Sequence, residues 1–157
     1  MSITEAASRT LTFLFTDLEG STRLWEHHPQ AMRQALARHD AILRGAVESS
    51  NGQVVKTTGD GLHAVFGSTV EGVSACLNAQ LGLAREPWGE TGSLHVRMAV
   101  HTGEAAERAG DYYGPTLNRA ARLMSAAHGG QVLLSAAAKM SSPALLIVPL
   151  AVCGVTV

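Results

Sequence analysis

Gln53-Val54-Val55-Lys56-Thr57-Thr58-Gly59-Asp60-Gly61-Leu62-His63-Ala64-Val65-Phe66 carries two β-favouring runs around a Gly-Asp-Gly reversal. Gln53 to Thr57 and Leu62 to Phe66 therefore read as a hairpin, with Asp-Gly the familiar chemistry of the bend. Upstream, Leu11 to Phe15 is an apolar run that reads as a central strand ending in Thr16-Asp17. After Gly20, Ser21 or Thr22 is placed to cap a helix, and Pro29 suits the first turn of a second one. That second helix steps through Met32, Leu36, His39, Leu43 and Val47 and stops at Asn51-Gly52. Downstream, Thr69 to Ala84 has helical periodicity, Arg85 to Ser93 reads as a loop and Leu94 to Val100 as a fourth strand. Gly103 to Gly114 is polar and reads as a functional loop, before a helix over Thr116 to Ala127 that follows Pro115. Gly129-Gly130 stops it, and a strand over Gln131 to Ser135 and a short helix over Ala136 to Met140 follow. Strands alternate with helices, but the hairpin forbids a purely parallel sheet. The class is α/β in the α+β sense: a mixed, mostly antiparallel sheet flanked by α-helices.

The chain has 157 residues, 46% of them hydrophobic and 16% charged, the proportions of one soluble globular domain. Residues 1–10 read as an N-terminal extension and 11–157 as a single domain. Twelve basic against thirteen acidic residues give a net charge of -1, without the basic surplus of a duplex-binding surface, so nucleic acid is not an expected partner. Cys76 and Cys153 lie far apart without zinc spacing, which fits a reducing cytoplasm. No signal peptide is visible in Met1 to Thr10. Ala144 to Val157 is apolar but too short for a membrane span of about 20 residues, and it reads as buried strand.

Phe15-Thr16-Asp17-Leu18-Glu19-Gly20-Ser21-Thr22 puts a carboxylate at a strand end and small residues before a helix. Free amides there attract phosphate oxygens, and Asp17 offers a hard oxygen ligand for Mg²⁺; a plain capping role accounts for the same residues. Asp60, in the hairpin bend, joins Asp17 as a second carboxylate able to share metal ions. Lys56 is either a solvated lysine or a point-charge donor to a ligand nitrogen. Asn118 and Arg122 are four apart on one helix face, with Arg119 directed elsewhere, and Asp111 lies seven residues before Asn118. His27, His28, His39, His63, His95, His101 and His128 are scattered and read as solvated or satisfied side chains. Tyr112 and Tyr113 suit either a pocket wall or an intersubunit contact.

From about Leu11 to Ala136 the sequence resembles a class III nucleotide cyclase domain of the short bacterial type, which has a ferredoxin-like α+β fold. The resemblance rests on Phe15-Thr16-Asp17 with Glu19 to Thr22, Lys56 to Gly61, Asp111 to Gly114 with Asn118 to Arg122, and Gly129 to Ser135. It implies an adenylate cyclase using ATP and two divalent cations, Mg²⁺ or Mn²⁺. In these terms Asp17 and Asp60 hold the metals, Lys56 and Asp111 select adenine, Asn118 orients the ribose and Arg122 stabilises the transition state. Leu18 to Thr22 bind phosphate. A head-to-tail homodimer with two composite sites follows from the same resemblance, and so does a rival reading, a nucleotide-sensing module with weak or no turnover. The family's late basic residue has no counterpart, since no Lys or Arg follows Lys139.

Overall fold

In a computed structural model, which describes residues 7–142, one sheet of six strands is flanked by helices on both faces. The elements in order are β1 (Ser8–Leu18), α1 (Ser21–His27), α2 (Pro29–Ser49), β2 (Gln53–Thr58), β3 (Gly61–Phe66) and α3 (Thr69–Arg85). A 3₁₀ turn at Gly89–Thr91 leads to β4 (Val96–Arg108), β5 (Asp111–Tyr113), α4 (Pro115–Ala126), β6 (Val132–Leu134) and α5 (Ala136–Met140). The strand order is β2-β3-β1-β4-β5, all antiparallel, with β6 added parallel to β4. The mixed, mostly antiparallel sheet expected from the hairpin is therefore present. The expected strand over Ala144 to Val157 lies outside the described residues.

Alternation along β1 sorts the core into two layers. Leu14 and Leu18 join Leu62, Ala64, Phe66, Met98 and Val100 beneath α2 and α3, against Met32, Leu43, Val47 and Cys76. Leu11, Phe13 and Phe15 face the other way, with Val65, Ala105 and Tyr112, and meet Ala120 of α4. Asp17 continues that second series at the strand's end, so the residues with chemistry open on the face where α4 lies.

β1 begins at Ser8, paired to β4 inside the stretch read as an N-terminal extension, and the structure departs from the expected elements in four further places. The polar stretch after Gly103 is not a loop, because β4 runs on to Arg108 and turns back through Ala109 and Gly110, both at positive φ, into β5. Its single buried side lies on Ala105 and Tyr112, too sparse a pattern to read as a strand. Neither Ser21 nor Thr22 caps α1; the N-cap is Gly20, in left-handed backbone at φ 69°, with no side-chain cap. The hairpin's two-residue bend is Gly59-Asp60, not Asp60-Gly61, with Thr58 paired to Gly61 and Gly59 at φ 60°. A positive φ at the first bend position is what glycine supplies most easily.

The last of these departures is a bulge in β2, where the register shifts between Val54 and Lys56. Val54 pairs with Ala64 and Lys56 with His63, so the uninterrupted pattern that would set Lys56 opposite core-facing Leu62 is broken. The extra residue, Val55, thus moves Lys56 onto the α4 side of the sheet.

Gly61 brings the hairpin against β1. A Cβ there would lie 2.6 Å from the Thr16 carbonyl oxygen, a backbone atom with little room to move. Gly61→Ala is expected to cost about 1–3 kcal/mol in urea unfolding. An unchanged midpoint would show that the hairpin does not need this close approach.

Candidate active site

The candidate residues form two groups. Asp17, at the end of β1, and Asp60, at the hairpin tip, adjoin closely enough for their carboxyl groups to interact. Opposite Asp17 on β4 stands Arg97, in direct register, its Nη1 3.9 Å from Asp17 Oδ2. The Arg97 Nε is buried and has no hydrogen-bond partner among the described residues. Burial raises the Asp17 pKa first and the Asp60 charge raises it further, while Arg97 and the Leu18 N–H lower it in part. The pair is thus under-compensated hard-oxygen chemistry, and a divalent cation would relieve both burial and repulsion. One or two carboxylates completed by substrate phosphates is the usual Mg²⁺ arrangement, so the residues present fit such ions.

The second group surrounds a cavity of about 200 Å³. Phe13, Phe15, Val55 and Leu117 give it apolar walls, and Lys56, His63, Asp111 and Asn118 give it polar ones. Sites for drug-sized ligands are about 300–1,000 Å³, so this one suits a flat ring system better than a whole nucleotide. Lys56 Nζ donates to Asp111 Oδ2 at 3.1 Å, joining strands at opposite ends of the sheet order across the face. The Tyr112 N–H donates to Asp111 Oδ1 at 2.8 Å; this bond first, and Lys56 after it, holds the Asp111 pKa below the ordinary carboxylate value. Tyr112 packs edge-on against Phe13 with ring centroids 5.4 Å apart and lines the cavity; Tyr113 is exposed.

Asn118 joins this cavity, whereas Arg122, one turn further along α4, is exposed and lines no part of it. Arg119 turns toward His101, whose pKa is lowered by burial and then by that guanidinium. Neither Asp17 nor Asp60 belongs to the cavity wall. Of the five residues expected to offer amides to phosphate, two have theirs engaged: the Leu18 N–H serves Asp17, and the Glu19 N–H donates to the His95 carbonyl at 2.9 Å. Gly20, Ser21 and Thr22 remain as the candidates, because the β1–β4 ladder runs through Leu18 before the chain turns.

Sequence reasoning missed Arg97 and His63. An arginine inside the apolar run Val96 to Val100 is the signal for the first, though only the register places it opposite Asp17. His63 read as one scattered histidine among several; its pairing with Phe15 puts it on the α4 side, where the bulge sets Lys56 beside it.

The adenylate and guanylate cyclase catalytic domain family matches this chain over residues 3–143. The chain belongs to that family. This cyclase domain is 34% identical over 151 residues to the adenylate cyclase of Schizosaccharomyces pombe, covering 80% of this chain and 9% of that protein. It therefore spans under a tenth of the length of that relative. An adenylate cyclase of Trypanosoma brucei, solved in its monomeric state, has a TM-score of 0.79 at 30% identity, with 89% of this chain and 80% of that one covered. The guanylyl cyclase Cya2 has the same fold, with a TM-score of 0.78 at 22% identity over 88% of this chain and 80% of that one. The fold alone thus does not decide the base.

The raised Asp17 pKa has a consequence for stability. A carboxyl whose folded pKa exceeds its unfolded value near 3.8 favours folding most below that value, and the benefit is lost as pH rises through the folded pKa. At pH 7 in chelator, Asp17→Asn should therefore melt above the wild type, by about 2 °C. A lower melting temperature would contradict the under-compensated pair.

Proposed function

We propose that this domain is an adenylate cyclase, converting ATP to 3′,5′-cyclic AMP and pyrophosphate in the cytoplasm, where the triphosphate is available. The observation that carries this reading is the Lys56–Asp111 pair at the cavity mouth, a cationic donor and an anionic acceptor 3.1 Å apart. Adenine presents a ring-nitrogen acceptor next to an amino donor, the complement of such a pair. Relatives named adenylate cyclase support the same base.

In this reading the ribose 3′-oxygen attacks the α-phosphorus of the same ATP, the bond to the β-phosphate bridging oxygen breaks, and pyrophosphate leaves. Two divalent cations, Mg²⁺ or Mn²⁺, would be held by Asp17 and Asp60 and would supply the positive charge that acidifies the hydroxyl and balances the polyphosphate. Asn118 orients the ribose beside the base cavity. Arg122, on the solvent side of α4, meets the charge developing on the phosphorus oxygens. Arg97 takes the role of the basic residue missing after Lys139, its guanidinium already beside the carboxylate pair and one donor uncommitted. The amides of Gly20, Ser21 and Thr22 add phosphate donors.

The cavity wall contains neither metal-binding candidate, which favours completion by a second copy arranged head to tail. Each chain then lends Asp17, Asp60 and Arg97 to one site and Lys56, Asp111, Asn118 and Arg122 to the other.

Purified protein with Mn²⁺ should form cyclic AMP from ATP in preference to cyclic GMP from GTP. ATP bound without product would support the sensing module instead. Lys56→Glu combined with Asp111→Gly should lower kcat/KM for ATP by about 100-fold, as expected for losing two charged hydrogen bonds. An unchanged ATP preference would refute their role. Asp17→Ala and Arg122→Ala proteins, each inactive, should recover about a quarter of wild-type activity on equimolar mixing, because half the dimers then hold one intact site of two. No recovery, with subunit exchange confirmed, would contradict the composite site.

A further inference from the structure

His63 lines the base cavity, cross-strand from Phe15 on β1 and from Lys56 on β2. Its ring lies flat on Phe15, with centroids 3.7 Å apart and planes 4° apart, so its orientation is fixed by packing. The buried histidines His39 and His101 engage a ring nitrogen with Asp40 and Ser135. His63 makes no such bond among the described residues, although it lines a cavity.

Burial first, and Lys56 next, lowers the His63 pKa, so the ring is neutral at pH 7 and carries one N–H donor and one bare nitrogen acceptor. Each oxygen of the neighbouring Asp111 carboxylate already accepts one bond, from Lys56 and from the Tyr112 N–H, whereas the His63 ring has none among the described residues. A planar heterocycle held in this cavity thus has within its wall an imidazole fixed by stacking and with unused hydrogen-bonding capacity. A polar group left without a partner in a cavity wall gains a hydrogen bond when a ligand satisfies it.

We propose that His63 is a further base-contacting residue, donating or accepting a hydrogen bond with the purine of the nucleoside triphosphate beside Lys56 and Asp111. The inference rests on the cyclase reading for the identity of the ligand. It assigns to His63 the strength of base binding, while the choice between purines stays with the charged pair.

The test compares wild type, His63→Phe and His63→Gln in two measurements, steady-state turnover of ATP and equilibrium binding of ATP against inorganic tripolyphosphate. Phenylalanine keeps the stack on Phe15 and removes the nitrogens, whereas glutamine restores a donor and an acceptor. His63→Phe should raise both KM and Kd for ATP about 3–10-fold, the worth of one neutral hydrogen bond, with kcat within about twofold. His63→Gln should recover part of that loss, and tripolyphosphate, which has no base, should bind all three proteins equally. Equal ATP affinity in wild type and His63→Phe overturns the proposal, and so does a parallel loss of tripolyphosphate binding, which marks a general disturbance. A wild type that binds ATP without forming cyclic AMP defeats the cyclase reading, while the two affinities still decide the role of His63.

Discussion

Two carboxylates that repel each other are held side by side, Asp17 at the end of β1 and Asp60 at the tip of the β2–β3 hairpin. The sheet pairing beside them brings them together. Thr16 pairs with Leu62, one residue from each carboxylate-bearing position or its neighbour, and Gly61 lets the hairpin backbone approach Thr16 more closely than a side chain would permit. Folding therefore concentrates negative charge that ordinary packing would disperse. Such an arrangement is stable in the protein because the β1–β3–β4 ladder and the buried layers beneath α2 and α3 outweigh it.

The second constraint is the bulge at Val55. It turns Lys56 onto the face of Phe15 and His63, while the β4–β5 hairpin carries Asp111 over the same face from the far end of the strand order. The ion pair that results bridges sequence-distant strands above an apolar floor. The cavity proposed for the base and the carboxylates proposed for the cations thus occupy separate parts of one sheet face, and it is this separation that motivates the proposed second copy.

Much of this was legible before any coordinates. The β-branched and aromatic runs around Gly59, the apolar β1 and the three-and-four spacing in α2 suffice for a mixed sheet with flanking helices. The positions of Asp17, Lys56, Asp60, Asp111, Asn118 and Arg122 stand out by motif. What stayed hidden depends on register. A bulge leaves no trace in a two-residue alternation except an awkward lysine at an inward position. Arg97 acquires meaning only once it lies opposite Asp17, and His63 only once it lies opposite Phe15. The β4 extension and β5 were unreadable because a strand buried on one side by Ala105 and Tyr112 looks like polar loop. The loss of two amides to Asp17 and His95 is likewise a matter of backbone pairing.

The central claim is that Asp17 and Asp60 together hold a pair of cations against the polyphosphate of a bound nucleotide. Electron paramagnetic resonance of the protein with Mn²⁺ and a non-cyclising ATP analogue addresses it directly. The account predicts a spin-coupled Mn²⁺ pair with a separation of about 3.5–4 Å, lost on Asp60→Asn. Isolated, uncoupled Mn²⁺ in the wild type at saturating metal and analogue would contradict it.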